Sequence, residues 1–150
     1  MDNVDKTNYY LNIAQQYMKY SNCHHRCYGA VIVRDCTIVS TGYSYVANTK
    51  TLYKEVSDCF FDVQHPNLIK EQKQFYTIIH AEAVALKAVS INETMGAKLY
   101  LVGQDLMTGE YLEDTKPCIR CLHLIIRAGI SQVVSRTSTT TFNVMQLNNK

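Results

Sequence analysis

His80, Glu82, Cys118 and Cys121 are the residues of this 150-residue chain whose types and spacing could do chemistry together. A catalytic zinc takes three protein ligands and keeps its fourth position open for water, and one imidazole with two thiolates is such a set. Cys118 and Cys121 are three residues apart just after Pro117, so in a helical turn both sulfurs face one side, where the positive end of the helix favours thiolates. Two thiolates offset the charge of the dication and a neutral imidazole adds none; the metal can then acidify a water toward a pKa of roughly 7. Glu82 lies two residues after His80, close enough to face the same pocket without binding the metal, and can accept a proton and return it. Each residue alone has a structural alternative. A Cys-x-x-Cys also builds closed zinc knuckles and redox pairs, a histidine can simply sit at a helix start, and a first-turn acid answers the helix dipole. No second cysteine pair for a knuckle is evident, and the four residues together favour catalysis.

Elements spread along the chain must position them. Apolar residues at Tyr10, Ile13, Ala14, Tyr17 and Met18 recur at helical spacing, which predicts a first helix over 8–20 with Thr7 as its cap. Two β-branched runs, 29–33 and 37–41, are separated by Arg34-Asp35-Cys36 and read as a hairpin. A second helix over 80–90 starts beside His80, and a third strand covers 98–102. Met107-Thr108-Gly109-Glu110 is a turn signal within 103–116, which predicts a small hairpin flap. Pro117 suits the first position of a third helix that runs to about Ala128 and stops at Gly129, followed by a fourth strand over 132–135. The tail, 137–150, is open between strand and short helix, and 43–76 lacks periodicity over a length that plain connections seldom reach.

Composition narrows the class. The length fits one domain over 1–150, and 47% apolar with 19% charged residues is a globular balance. The apolar runs are too short to cross a bilayer. The first ten residues carry acids and Asn where a secretory signal needs a basic start, so the expected location is cytoplasmic. With no export signal, the six cysteines are expected to be metal ligands or reduced thiols. A net charge of +2 with interspersed signs offers no basic stripe, which disfavours nucleic-acid partners.

His80-Ala81-Glu82 and Pro117-Cys118-Ile119-Arg120-Cys121 match the signature of zinc-dependent base deaminases. The chain resembles the cytidine/deoxycytidylate deaminase superfamily from about Asn8 to Val134, and the segments 29–33, 41–43 and 125–130 are also similar to family segments. The resemblance implies a three-layer α/β/α sandwich with a mixed sheet of about five strands, and assembly as a homo-oligomer. It implies hydrolytic deamination of a nucleotide base, with Glu82 as the proton carrier and His80, Cys118 and Cys121 on the metal.

Within that superfamily the deoxycytidylate deaminases are the most similar, through Ser21-Asn22-Cys23-His24-His25-Arg26 and the long insert before His80, which implies dCMP as substrate and dUMP and ammonia as products. Ser44 and Val84 depart from that branch, which has Asn at both places, and the helix from His80 to Leu86 is similar to that of tRNA adenosine deaminases. Cytidine, free cytosine, guanine or tRNA adenosine are therefore alternative substrates, and a silent nucleotide-binding zinc module is the alternative outside catalysis. Some deoxycytidylate deaminases hold a structural zinc, for which Cys23, Cys27, Cys59 and His65 are the candidates here; small buried thiols and a surface histidine are the competing reading. Arg26, Lys54, Arg120 and Arg136 are the cations available for a phosphate. Tyr43 and Tyr45 stand where family members place base or sugar contacts, with core packing as the competing reading, and His123 is read as lying outside the ligand set.

Overall fold

The computed structural model describes residues 2–23, 25–48, 76–112 and 117–147. The chain starts with α1 (Asn3–Met18), β1 (Arg26–Arg34), β2 (Thr37–Tyr43) and β3 (Tyr45–Asn48). β4 (Tyr76–Ile79), α2 (Ala81–Lys87), α3 (Ile91–Thr94) and β5 (Lys98–Asp105) follow, and α4 (Ile119–Arg127), β6 (Gln132–Arg136) and β7 (Phe142–Gln146) complete it. Five strands form one sheet in the order β2-β1-β5-β6-β7, and β3 with β4 forms a separate two-stranded ribbon. β5 and β6 run parallel, whereas the other neighbours in the large sheet are antiparallel. The sheet is therefore mixed, with α4 in the crossover that a parallel pair requires.

Strand alternation divides the core into two apolar layers, one on each face of the sheet. Val31 and Val33 of β1 pack with Leu11, Ala14 and Met18 of α1. Ala30 and Ile32 point the other way, toward Ala81 and Ala85 of α2 and Ile125 of α4. These are the three layers of the expected α/β/α sandwich. Gly42 allows α2 to lie close on β2, since a Cβ there would stand 2.4 Å from the Ala81 carbonyl oxygen and 2.7 Å from the Ala85 nitrogen. The Ser40 hydroxyl also donates to the Ala85 carbonyl at 2.6 Å, so β2 supports the helix that carries Glu82.

Several boundaries differ from the sequence expectation. The first helix begins five residues earlier, at Asn3, because Asp2 caps it by accepting from the Asp5 N–H at 2.7 Å. Thr7 is inside that helix, its hydroxyl donating back to the Asn3 carbonyl. The β1–β2 turn uses two residues, Asp35 and Cys36, at φ 51° and 62°, which suits the twist of a tight hairpin. The second helix stops at Lys87 and α3 is separate from it. Pro117 precedes rather than starts α4, and the open tail resolves into β7, paired with β6. β3 and β4, at the two ends of the aperiodic stretch, pair with each other, a long-range contact that periodicity does not reveal. No helix among the described residues is long and apolar enough to cross a membrane.

Candidate active site

Two helix starts meet at one point. His80 and Cys118 occupy the N-cap positions of α2 and α4 with extended backbones, and neither side chain caps its own helix, so both are available to point elsewhere. Cys121 lies one turn into α4. The Nδ1 atom of His80 stands 3.4 Å from the Sγ of Cys118 and 3.4 Å from the Sγ of Cys121, and all three ligand atoms lie within 4.8 Å of one another. A tetrahedral zinc with Zn–S near 2.3 Å and Zn–N near 2.0–2.1 Å separates nitrogen and sulfur ligands by roughly 3.6 Å. The trio thus has the spacing and donor set that fit such an ion.

Glu82 sits beside this group but is not a member of it. Its side chain is buried, with 4% of the residue exposed, and burial pushes its carboxyl above the usual range, only partly opposed by its own backbone N–H, His80 and Cys121. Burial also pushes the Cys121 thiol up, helped by the charge of Glu82 and by contact with Cys118. A cation placed among these groups would reverse that balance and favour the thiolates.

His80, Glu82 and Cys118 line a cleft of about 290 Å³ with Arg26, Tyr28, Ser44, Ile78 and Leu101 among its other walls. Arg26 is the one arginine or lysine among the described lining residues. Ser44 is buried at 1% exposure, where its Oγ accepts from the Tyr28 N–H at 3.1 Å and lies 3.3 Å from the Ser21 hydroxyl. Val84, the other departure from the branch pattern, is not among the described lining residues.

The remaining expected residues separate. Of the cations, Arg120 is exposed and outside the described cleft lining, and Lys54 lies outside the described residues. Arg136 is buried beneath α1, where its guanidinium donates to Asn12 Oδ1 at 2.8 Å, to Gln15 Oε1 at 2.9 Å and to Asn8 Oδ1 at 3.1 Å. It braces the fold and does not reach the cleft. Tyr43 stacks loosely between Tyr20 and Tyr45, with ring centroids 5.8 and 6.4 Å away, and neither Tyr43 nor Tyr45 is among the described lining residues. His123 is exposed and outside the ligand trio. Cys23 and Cys27 are buried, the Cys27 thiol donating to the Cys23 carbonyl at 2.9 Å, whereas Cys59 and His65 lie outside the described residues. Cys23, Tyr28, Ile78 and Leu101 line the cleft although the sequence reading did not place them there. Tyr28 and Leu101 come together because β1 pairs with β5, a contact between distant segments.

A family model described as the cytidine and deoxycytidylate deaminase zinc-binding region matches residues 4–137. The chain belongs to that family. Among curated proteins it is 29% identical over 129 residues to deoxycytidylate deaminase of Saccharomyces cerevisiae, covering 84% of this chain and 36% of the yeast protein, so the chain spans about a third of that relative. It is 28% identical over 138 residues to deoxycytidylate deaminase of Mycobacterium phage D29, covering 89% of this chain and 96% of the phage protein. Of solved structures, dCMP deaminase from the cyanophage S-TIM5 in complex with dCMP and dUMP superposes with a TM-score of 0.58 at 20% identity, covering 90% of this chain and 82% of that one. The apo form of the same protein gives 0.57 at 21% identity. At that identity the likeness bears on the fold, which is the cytidine deaminase type expected from the motifs.

Proposed function

We propose that this family member hydrolyses the exocyclic amine of a cytosine nucleotide, converting dCMP to dUMP with release of ammonia. The observation that carries the reading is the buried carboxylate of Glu82 in the same cleft as a three-ligand metal trio from which it is itself excluded. Two relatives named deoxycytidylate deaminase, one of them matched over 96% of its length, support the choice of substrate.

His80, Cys118 and Cys121 would hold one zinc, whose charge acidifies water at neutral pH. Glu82 takes the proton of the attacking water and delivers it to the ring nitrogen next to C4. Once the oxygen has added to C4, the same carboxyl takes the second proton from that oxygen and passes it to the amine; C4=O forms as the C4–N bond breaks, and ammonia leaves. The apolar walls given by Ile78 and Leu101 suit a flat base, and Arg26 is the cation placed to meet a phosphate.

The decisive experiment is an ammonia-release panel over dCMP, deoxycytidine, cytidine, free cytosine, guanine and an adenosine in tRNA. Preferred turnover of dCMP is the expected result, and preference for any other member would replace the substrate. Nucleotide binding without conversion of any member would make the chain a silent zinc module. A zinc-to-protein ratio near one fits the catalytic site alone, whereas a ratio near two would assign a second ion to Cys23, Cys27, Cys59 and His65. Homo-oligomeric assembly belongs to the same proposal, and sedimentation of the purified protein reads it directly.

A further inference from the structure

The hairpin inserted between β5 and α4 is built around one carboxylate. Asp105 ends β5 directly opposite Arg26, the first residue of β1. Its Oδ1 accepts from the Met107 N–H at 2.9 Å and the Thr108 N–H at 3.4 Å, which shapes the turn. Its Oδ2 lies 3.1 Å from Nε2 of His25, the residue before Arg26. The Leu106 N–H donates to the His25 carbonyl at 2.7 Å, so the turn grips His25 by side chain and backbone alike. The returning arm pairs Tyr111 with Gln104, and the Tyr111 hydroxyl donates to Gln15 of α1 at 2.9 Å. The hairpin is thereby anchored to the body of the molecule while it holds the start of β1.

Arg26 is what that start presents. It lines the catalytic cleft, is exposed, and has no side-chain hydrogen bond or ion pair among the described residues. Nothing about its own side chain fixes its place, so its position depends on the backbone that the hairpin holds. A cation with idle donors on the rim of a cleft suits an oxyanion such as a phosphate monoester.

We infer that Asp105 is a positioning residue for Arg26 and that the 103–112 hairpin thereby selects a phosphorylated substrate over the unphosphorylated nucleoside. This rests on the deamination reading above, and the test separates the two. The wild-type chain is assayed first with dCMP and deoxycytidine; failure to favour dCMP overturns the substrate reading and the inference with it. Given that preference, Asp105→Ala and Arg26→Ala are each expected to raise KM for dCMP by about tenfold, the scale of one charge-assisted hydrogen bond, with kcat little changed. Constants for deoxycytidine should stay at their wild-type values in Asp105→Ala, since Asp105 is not among the described lining residues of the cleft. The double variant should be no worse than Arg26→Ala alone, because both substitutions act through one contact. If thermal melting shows Asp105→Ala to be unfolded, Asp105→Asn decides, since it keeps an acceptor for the turn amides and removes the charge facing His25. Equal losses on dCMP and deoxycytidine, additive losses in the double variant, or an unchanged KM for dCMP in the folded Asp105 variant would each overturn the inference and leave the deaminase reading standing.

Discussion

The roles proposed for Glu82 and for the three metal-ligating side chains differ, and their substitutions should separate accordingly. Glu82→Ala is expected to retain zinc at the wild-type ratio while turnover falls by roughly 10²–10⁴-fold, measured by metal analysis and ammonia release on the same sample. Unchanged turnover in that variant would refute Glu82 as the proton carrier. Cys118→Ser should instead lose the metal together with activity, because a hydroxyl is a far poorer ligand for zinc than a thiolate. The placement of Glu82 beside His80 was legible from sequence because two residues after a helix start is a local relation. Ser44 was legible only as a departure from a pattern. That its hydroxyl is tied to the Tyr28 N–H and lies beside Ser21, three segments brought together, follows from pairing of β1 with β2 and their contact with the end of α1.

At the scale of elements, α2 is held by β2 at Gly42 and Ser40. Gly42→Ala places a methyl group against the Ala81 carbonyl, and overpacking of this kind costs about 1–3 kcal/mol. Thermal melting should fall by roughly 2–4 °C per kcal/mol, with activity falling too because the shifted helix carries Glu82. The hairpin has its own pH dependence. Burial pulls the Asp105 carboxyl up, but the Met107 N–H, His25 and the Thr108 N–H more than offset this and hold it below its usual 3.8. A folded value below the unfolded one means a contribution fully present above about pH 4 and lost as pH falls through the lower folded value. Protection of the Met107 amide in hydrogen exchange should therefore drop with acidification below pH 4 beyond any global loss, and Asp105→Asn should remove that step. Turn residues announced this hairpin in the sequence, whereas its grip on His25 needed the antiparallel register of β1 and β5.

For the whole molecule, the trio His80, Cys118 and Cys121 joins the start of α2 to α4, so a metal held there would couple its binding to folding. An ion present at a thousandfold excess over its Kd stabilises by about 4 kcal/mol, and its removal from a domain of this size should lower Tm by roughly 10 °C. Melting with and without a chelator, followed by zinc add-back, checks this; an unchanged Tm would mean the trio does not hold a folded-state ion. The grouping of His80, Glu82, Cys118 and Cys121 at two helix starts was readable in the sequence because it depends on spacings of two and three residues, and helical geometry converts such spacings into direction. The three-layer sandwich was expected through the family resemblance those motifs carry, while alternation and helical periodicity told only which residues of each element are buried. What only the tertiary structure decided is which distant residues share the cleft with them. Arg26 reaches it and Arg136 does not, although the sequence offers both as cations for a phosphate. Arg26 begins the strand beside the catalytic helices, while Arg136 ends a strand covered by α1, where amide oxygens satisfy most of its guanidinium. Strand order and the side of the sheet on which a helix packs are properties of long-range pairing, and no local spacing encodes them.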